Sequence, residues 1–369
     1  MQGEARDAEG QGDPREHRGV GQATQLRRVL AVVTLVAGCT LHVVAPDSGA
    51  SAASCGGARS CSCGDKVVED YVLPADLGPC GEGGLRLGAA VTLDGGGHVI
   101  RGKGPRSDSA GLRIPVEASN STVRDLRVTG FAHGVRLVGA RGVRLTNVEA
   151  DGNGDPGPRE GYGIDLSSGA SDNVLERVHV HGNADEGIHV GTDAARNRVV
   201  DSRIRDNSRE NVYFLSCRDN RLERSQVSGS GRSNAAVYVK FASGTVIEGN
   251  TVSDGAIQIR GGSRGTTLVD NTLSGAGVVL QSQNDKRFGS GTPSDTSVRG
   301  GSITSPDACV RIDTATATSV DDVRLSCPDG IRVARGSRVA VREGGGAAVP
   351  VRCADGGRRC VQDDAARRR

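Results

Sequence analysis

The fold is decided by the stretch Gly187-Ile188-His189-Val190, which returns with changed letters as Asn211-Val212-Tyr213-Phe214 and as Ala236-Val237-Tyr238-Val239. Each copy places an apolar residue on either side of a variable residue. Successive side chains of a β-strand point to opposite faces, so this alternation predicts a short strand. We expect the two apolar side chains to face a core and the variable side chain between them to face outward.

Outside this stretch the pattern continues in both directions and occurs eleven times in all. Consecutive copies begin between 20 residues (Ala236 to Ala256) and 32 residues (Gly277 to Cys309) apart. A repeat of this length with period-two strands predicts an all-β parallel β-helix, a solenoid of about eleven coils with three parallel sheets. At about 4.8 Å per coil it would be roughly 50 Å long. The rival fold, an antiparallel sandwich, needs hairpin turns in series, which the chain does not supply.

The apolar positions are predicted to stack from coil to coil into two buried aliphatic columns. The first column consists of Leu85, Leu112, Val135, Ile164, Ile188, Val212, Val237, Ile257, Val278, Val310 and Ile331. The second consists of Val123, Val143, Val174, Val199, Leu222, Val246, Leu268 and Val298. An asparagine precedes this second run at Asn173, Asn197 and Asn220, which predicts an asparagine ladder that binds backbone groups at a turn.

The composition is that of many short strands joined by turns. Glycine accounts for 55 of the 369 residues, tryptophan is absent, and aromatic residues make up 2%. The core must therefore be built from small and aliphatic side chains. The formal net charge of +2 provides no excess charge that would attract nucleic acid. We expect a monomer with no nucleic-acid partner.

The N-terminal region has the pattern of an export signal. Residues 1–28 are interpreted as an n-region or as a stretch before the true start, and residues 29–52 as a signal peptide, whose apolar run is too short for a membrane span of about 20 residues. Val36-Ala37-Gly38-Cys39 resembles a lipobox and predicts a lipid anchor on Cys39 at the outer surface or in the periplasm. The alternative is cleavage after Ala52 and secretion.

Ten cysteines in an exported chain are candidates for disulfide bonds. Three pairs are expected, namely Cys63 with Cys80, Cys309 with Cys327, and Cys353 with Cys360. Cys217 stands alone in mid-chain and is expected to be a buried thiol. The chain is accordingly divided into a Cys-rich cap with a first segment at 53–82, the β-helix at 83–352, and a C-terminal Cys pair with a basic tail at 353–369.

A resemblance to a known family lies near the start of the predicted solenoid. It is carried by Cys63-Gly64-Asp65, Asp76-Leu77-Gly78, Cys80, Leu93-Asp94 and Gly97-His98-Val99-Ile100-Arg101-Gly102. Together these resemble the first coil of bacterial right-handed β-helix repeat proteins of the pectate-lyase-like superfamily, over roughly residues 63 to 350. The resemblance implies a right-handed solenoid. It implies no single activity, because the superfamily includes lyases, epimerases, hydrolases and members without known chemistry.

The variable positions of the repeat are predicted to form an outward ladder on one exposed sheet, with one residue per coil. Five of the six outer coils carry arginine there, but the middle coils carry Asp165, His189, Tyr213, Tyr238 and Gln258, with Lys240 and Arg260 two positions further along their strands. Such a face suits a linear acidic sugar chain, whose rings would lie on tyrosine and whose carboxylates would meet the cations.

Removal of the C5 proton of a uronate requires a base, a cation that neutralises the carboxylate, and an acid on the opposite face. The candidate base is His189, or Tyr213 or Tyr238 if nearby cations lower the pKa of the phenol. The candidate neutralising cation is Lys240 or Arg260. The further candidates for substrate binding are Asp165, Tyr162, Gln258 and Glu210.

The run Gly161-Tyr162-Gly163-Ile164-Asp165 is similar to one coil of the β-helix mannuronan C5-epimerases. That family continues with Pro-His-Asp, whereas Leu166-Ser167-Ser168 follows here, and His189 lies one coil further on. A glycoside hydrolase would need two carboxylates. Asp165 is the only acid on the middle of the ladder, so a hydrolase would have to recruit acids from turns, where the candidates are Asp185, Glu186 and Glu210. We therefore rank a lyase or epimerase above a hydrolase.

No cofactor is expected. A weak calcium candidate is the loop with Asp151, Asn153 and Asp155, whose oxygen ligands alternate as in a Ca²⁺ loop, and a solvated turn is the favoured interpretation. The sequence thus predicts an exported β-helix protein that binds, and in an enzyme would cleave or epimerise, an acidic polysaccharide, with membrane contact only through the lipid anchor. The alternative is a non-catalytic cell-surface rod or adhesive module.

Overall fold

The computed structural model describes residues 53–105, 109–155, 161–229, 231, 234–342, 350–354 and 360–361. These form an all-β parallel solenoid, as predicted. Its first sheet has fourteen parallel strands, which include all eleven strands of the repeat, two strands before them and one after them. The strands are Ser54–Cys55, Lys66–Val67, Leu85–Leu87, Ala110–Pro115, His133–Val138, Ile164–Ser167, Ile188–Val190, Val212–Leu215, Ala235–Lys240, Ala256–Arg260, Val278–Gln281, Val310–Ile312, Ile331–Val333 and Val351–Cys353.

Most coils also contribute one strand to a second sheet and, after a bend, one strand to a third sheet. The two sheets are continuous through the long strands Thr122–Thr129 and Arg144–Asp151. The other strands of the second sheet are Tyr71–Val72, Thr92–Asp94, Val174–Glu176, Arg198–Val200, Arg221–Glu223, Val246–Glu248, Thr267–Val269, Ser297–Arg299, Thr318–Asp321 and Val339–Arg342. Those of the third sheet are Leu77–Cys80, Val99–Gly102, His179–His181, Arg203–Arg205, Gln226–Ser228, Thr251–Ser253, Thr272–Ser274, Ser302–Thr304 and Arg324–Ser326.

Two elements stand apart from the three parallel sheets. One turn of 3-10 helix spans Val116–Ala118, and an antiparallel hairpin joins Gln283–Asp285 to Gly289–Gly291. Within the described residues, no helix has the length and apolar character that crossing a bilayer requires.

The first aliphatic column is confirmed in every coil. Its eleven members, from Leu85 to Ile331, pair in register from each strand to the next. None of them is more than 2% exposed. The variable side chains of the same strands therefore point away from the core, because neighbouring residues of a strand face opposite sides.

The second aliphatic column is correct in part. Val123, Val199 and Leu222 face inward and pair with inward neighbours, but Val174 and Val246 are only half-buried. The inward residues of those two coils are Leu175 and Ile247, one position later. In the third coil Val143 is buried as expected, but Leu145, two residues later, is the residue that pairs with the column. A shift of one residue exchanges the two faces of a strand, and the turn before this sheet hides that shift from the sequence pattern.

The predicted asparagine ladder is present at the turn before the second sheet. The backbone N–H of Asn173 donates to Oδ1 of Asn197 at 3.1 Å, and that of Asn197 donates to Oδ1 of Asn220 at 2.9 Å. The structure contains two further ladders that the sequence analysis did not predict, made by Asn153, Asn183 and Asn207 and by Ser202, Ser225, Asn250 and Asn271. Buried backbone groups at the turns are thus satisfied by side chains of the neighbouring coil.

The ladder of Asn153, Asn183 and Asn207, which follows the third sheet, explains the glycine at the start of two repeats. A Cβ atom on Gly187 would lie 2.5 Å from Nδ2 of Asn207, and one on Gly163 would lie 2.7 Å from Nδ2 of Asn183. These distances are shorter than van der Waals contact. Glycine is therefore required by the close approach of the asparagine side chains to the backbone of the first sheet.

The bend between the second and third sheets explains the many aspartates of the turns. Asp125, Asn147, Asp201, Asp270 and Asp322 all stand at this bend, with φ between 51° and 54°. Asp and Asn tolerate this left-handed conformation better than other residues with side chains, because their short polar groups bind the local backbone. The sharp turn is thus encoded coil by coil.

Four disulfide bonds lie in the N-terminal and C-terminal coils. Three join the pairs expected from the sequence, and the fourth joins Cys55 to Cys61. Cys217 is buried and unpaired, and burial raises the pKa of its thiol to about 12. Disulfides persist in oxidising compartments, so four of them fit an extracytoplasmic location. The predicted lipobox at Cys39 and the alternative cleavage site at Ala52 lie outside the described residues.

The substitution Ile188→Ala tests the first column. Ile188 is fully buried between Ile164 and Val212 of the adjacent coils, so its truncation should lower the free energy of unfolding by about 2 to 5 kcal/mol. Val72→Ala is the control, because Val72 is 62% exposed and should cost no more than about 0.5 kcal/mol. Chemical denaturation measures both variants, and equal losses would contradict the column.

Candidate functional site

The outward positions of the first sheet form one continuous ladder. From coil to coil, the residues paired in register are Arg136, Asp165, His189, Tyr213, Tyr238 and Gln258. Lys240 and Arg260 are also in register with each other. Stacking of the coils thus makes spatial neighbours of residues that are at least twenty positions apart in the sequence, as the repeat predicts.

The ladder is less exposed than the sequence analysis expected. Asp165 is 2% exposed, Tyr213 is 6% exposed and His189 is 9% exposed. The expectation of a solvent-exposed sheet is therefore wrong for these coils. The side chains point outward but are covered by one another and by the turns and the hairpin beside the sheet.

Aromatic rings stack along the ladder. The rings of Tyr162 and His189 are nearly parallel with centroids 4.4 Å apart, and those of Tyr213 and Tyr238 are stacked at 5.1 Å. His189 meets Tyr213 edge to face at 5.6 Å, and His133 lies 5.3 Å from Tyr162 on the other side. Aromatic pairs of this kind contribute about 0.5 to 1.5 kcal/mol each. The rings therefore stabilise the outer face as well as shaping it.

His189 has a buried carboxylate on one side and a glycine on the other. Its Nδ1 lies 3.6 Å from Oε2 of Glu186, whose side chain is 2% exposed. Its Nε2 lies beside Gly191, where an added Cβ atom would come within 2.7 Å of that nitrogen. This separation exceeds hydrogen-bond length, so the carboxylate acts on the ring through its charge. Gly191 leaves the space that the ring needs.

Three buried acids surround the guanidinium of Arg209. Its Nη1 lies 3.2 Å from Oδ1 of Asp185 and 3.1 Å from Oε1 of Glu186, and its Nε lies 3.6 Å from Oε2 of Glu210. Burial raises the pKa of Asp185, an effect that Arg209 partly offsets. The acids that a hydrolase would have to recruit do lie beside the ladder, and they are held there by one cation.

The tyrosines do not meet the condition for acting as bases. Burial raises the pKa of Tyr213 well above its ordinary value of 10, and the neighbouring Tyr238 and Glu210 raise it further. Burial also raises the pKa of Tyr238, although Arg260 opposes the shift. Both phenols are therefore protonated near neutral pH, so they can donate a proton but cannot accept one from the substrate. Of the three candidate bases, His189 is the one that remains.

The hairpin at 283–291 packs over the later coils of the ladder. Nζ of Lys240 donates to Oδ2 of Asp285 at 2.6 Å, and the hydroxyl of Tyr238 donates to Oε1 of Gln283 at 3.0 Å. Lys240 is only 12% exposed at its side chain. The charge of this candidate cation is therefore already paired within the protein.

Arg260 has different surroundings. Its guanidinium carbon lies 5.7 Å from the ring centroid of Tyr238, which is a cation–π contact. Its Nε is buried and has no hydrogen-bond partner within the described part of the chain. Asp165, at the opposite end of the site, accepts a hydrogen bond from Nε of Arg136 at 3.0 Å. Arg260 is thus better placed than Lys240 to accept an anionic group.

The weak calcium candidate is not supported. The carboxylate of Asp151 binds Arg127 through two hydrogen bonds of 2.8 and 2.7 Å. Oδ1 of Asn153 accepts the backbone N–H of Phe131, and its Nδ2 donates to the carbonyl of Asp151. These contacts take the two side-chain groups that a calcium ion would share with Asp155.

Sequence reasoning missed four parts of the site, namely Arg209, Gly191, Gln283 and Asp285, and gave Glu186 no role beside His189. One signal was available. Glu186 stands three residues before His189, and Glu210 stands three residues before Tyr213 in the next copy of the repeat. An acid that recurs at a fixed distance from the ladder position predicts stacked carboxylates beside it. The hairpin contacts had no such signal, because the hairpin is inserted in a single coil.

The comparisons with known proteins agree with the topology. Residues 113–273 match the family model described as a right-handed β-helix region. No curated protein is significantly similar in sequence. The predicted resemblance to right-handed β-helix repeat proteins is confirmed.

Several solved structures share the fold at low sequence identity. An alginate lyase from Paenibacillus sp. str. FPU-7 is 17% identical with a TM-score of 0.44, and the alignment covers 81% of this chain and 98% of that one. A mutant of the periplasmic alginate epimerase AlgG is 10% identical with a TM-score of 0.49, covering 71% and 70%. PfbA, a surface adhesin of Streptococcus pneumoniae, is 10% identical with a TM-score of 0.43, covering 75% and 82%. The similarity is one of fold alone.

The contact between Lys240 and Asp285 predicts a pH dependence. The hydrogen bond from Lys240 lowers the pKa of Asp285 from its ordinary 3.8 to about 2. A carboxylate whose pKa is lower in the folded than in the unfolded protein stabilises the fold at pH values above its ordinary pKa. That stabilisation is lost as the pH falls through the pKa of the folded state. We therefore expect Asp285→Asn to reduce stability by no more than about 1 kcal/mol near pH 6, and by progressively less as the pH falls through about 2.

Chemical denaturation of the wild type, Asp285→Asn, Lys240→Met and the double variant isolates the pair as a double-mutant cycle. A coupling energy that vanishes at low pH supports the docked hairpin. A coupling energy of zero at every pH would show that the hairpin does not depend on this ion pair.

Proposed function

We propose that this chain binds a polysaccharide along the outward face of its first sheet, from the coil of Asp165 to the coil of Arg260, and that His189 transfers a proton to or from the bound sugar. The observation that carries the proposal is the setting of His189, with a buried carboxylate at Nδ1 and the space of Gly191 at Nε2. A histidine oriented by an acid is the usual form of a general base in enzymes.

The aromatic ladder supports binding of a sugar chain in particular. Tyr162, Tyr213 and Tyr238 follow one another along the solenoid at spacings set by the coils, and each offers an apolar ring with a polar end. Sugars combine apolar faces with hydroxyl groups and match such surfaces. The ring faces pack against neighbouring rings, so a chain that runs along the solenoid would meet ring edges and phenol hydroxyls, at steps of roughly 4.8 Å.

The acidic nature of the polymer is proposed from the cations. Lys240 and Arg260 lie in register on adjacent coils, about one strand spacing apart, so they can bind carboxylates of one chain. Lys240 would exchange Asp285 for the sugar carboxylate. These two cations stand two and three coils beyond His189, roughly 10 to 15 Å away, and so they would bind neighbouring sugars. Arg209 is the cation near His189, through Glu186.

The reaction that fits these positions is proton abstraction at C5 of a uronate. His189 would take the proton while the electron pair moves toward the carboxylate of the sugar. Tyr213, protonated because burial raises the pKa of its phenol, would donate a proton. In a lyase this proton goes to the glycosidic oxygen at C4 as the C4–O bond breaks and a C4=C5 double bond forms. An epimerase would instead return a proton to C5 from the other face of the sugar, which requires a donor on the side away from His189 and Tyr213.

Export belongs to the same proposal. The signal peptide at 29–52 would deliver the chain to an oxidising compartment, where its four disulfides form. Lipidation of Cys39 and cleavage after Ala52 remain the two alternatives for the mature N-terminus. The mass of the mature N-terminal peptide distinguishes them.

A non-catalytic cell-surface rod is the second candidate, and one observation favours it. The charged groups of the ladder are paired within the protein, as Arg136 is with Asp165 and Lys240 is with Asp285. Such pairing stabilises an outer face that has no ligand. A rod or adhesive module would then use another surface.

The substitution Gly191→Ala tests the catalytic part of the proposal. The methyl group of the alanine would come within 2.7 Å of Nε2 of His189, so the imidazole ring must move. Turnover should then fall at least tenfold, while the polymer still binds. Gly81→Ala is the matched control, because nothing lies within 4 Å of a Cβ atom there. His189→Ala should abolish turnover.

Turnover is measured on alginate, pectate and glycosaminoglycans by two assays. A lyase yields an unsaturated product that absorbs ultraviolet light, and an epimerase exchanges the C5 hydrogen for deuterium in heavy water. Equal rates for the wild type and Gly191→Ala would remove His189 from the mechanism. The absence of both signals with every polymer would favour the rod.

A further inference from the structure

A second cluster of chemically capable side chains lies on the third sheet. His179 and His181 alternate in the strand His179–His181, with Val180 fully buried between them, so both imidazoles point outward. Glu149, in the preceding coil, is paired in register with His179. Two imidazoles and a carboxylate therefore share one patch of a sheet other than the one that carries the aromatic ladder.

The three side chains converge. Nε2 of His181 lies 3.0 Å from Oε1 of Glu149, and Nδ1 of His179 lies 4.0 Å from the same oxygen. The two rings have centroids 4.3 Å apart. One ligand atom of each residue can be chosen so that all three lie within 4.8 Å of one another. The side chains are 21 to 36% exposed, which leaves room for an ion to enter and for the side chains to rotate.

An ordinary ion pair does not account for the second histidine. The hydrogen bond between Glu149 and an imidazole is already made by His181, so the ion pair does not require His179. Nε2 of His179 is buried and has no hydrogen-bond partner within the described residues.

The neighbouring positive charges already have partners. The guanidinium of Arg127 is bound by two hydrogen bonds to Asp151, and Arg205 is paired with Asp206. Arg203, which stands in register with His179, donates to the side chain of Gln226. Nε of Arg127 also lies 3.9 Å from Oε1 of Glu149, the same oxygen that both histidines approach, so Oε2 is left for a further cation.

We propose that Glu149, His179 and His181 bind one divalent transition-metal ion of the zinc class. Two imidazoles and one carboxylate are a common zinc ligand set that leaves a fourth position for water or for an anionic group. Bond lengths of about 2.1 Å with tetrahedral angles place ligand atoms roughly 3.4 Å apart, a small contraction that side-chain rotation provides. Imidazole ligands favour zinc, copper, nickel or cobalt over calcium or magnesium.

The test is a calorimetric titration of the untagged full-length chain with Zn²⁺ after chelator treatment and dialysis. We expect one site that is lost in Glu149→Gln and in His179→Ala, each with an affinity reduced more than about 100-fold, since loss even of a group behind a ligand costs 10 to 100-fold. His98→Ala is the matched control, because it removes an imidazole that lies near only one carboxylate, that of Asp76. Its zinc affinity should equal that of the wild type.

Calcium in place of zinc should give no heat from the site in any of these proteins. Circular dichroism of the metal-free variants shows that they are folded, and the use of two variants on separate coils keeps the test valid if one of them fails to fold. Absence of zinc binding in the wild type, unchanged binding in either cluster variant, or an equal loss in His98→Ala would overturn the proposal. This site does not depend on the sugar-binding proposal.

Discussion

In-register pairing of each coil with the next is the constraint on which the whole structure depends. Because Ile188 pairs with Val212, and Val212 with Val237, the variable residues between them are placed side by side on the outside. A slip of one residue would send the ladder into the core. The asparagine ladders oppose such a slip, since each links the backbone of one coil to a side chain of the next, as Asn197 does with Asn173.

The same constraint explains why charged and aromatic residues can be buried on an outer face. Stacking brings Tyr162 onto His189, and it gives the buried acids Asp185 and Glu186 a counter-charge from the next coil in Arg209. The hairpin at 283–291 closes the later coils by pairing with Lys240. The solenoid thus supplies preorganised neighbours on its outer face.

The sequence was sufficient to predict those features that recur at the same position in every coil. The first aliphatic column, the outward direction of His189 and the ladder through Asn197 all follow from a fixed spacing within each coil. It was insufficient where the spacing changes. Val174 and Val246 were assigned to the core one residue too early, and the cluster around His179 was missed because Glu149 is thirty residues away and meets it only through the register of the third sheet.

The central claim is that the outer ladder of the first sheet is a binding surface for an acidic sugar chain. Calorimetric titration of the wild type and of the double variant Lys240→Ala/Arg260→Ala with alginate, pectate and glycosaminoglycans tests it most directly. Loss of two charge-assisted contacts should weaken binding of one polymer by about tenfold per contact. The control is the double variant Arg203→Ala/Arg218→Ala, whose substituted residues lie outside the ladder, and it should bind as the wild type does. Equal affinity of the wild type and the ladder variant, or no binding of any of these polymers, would contradict the account.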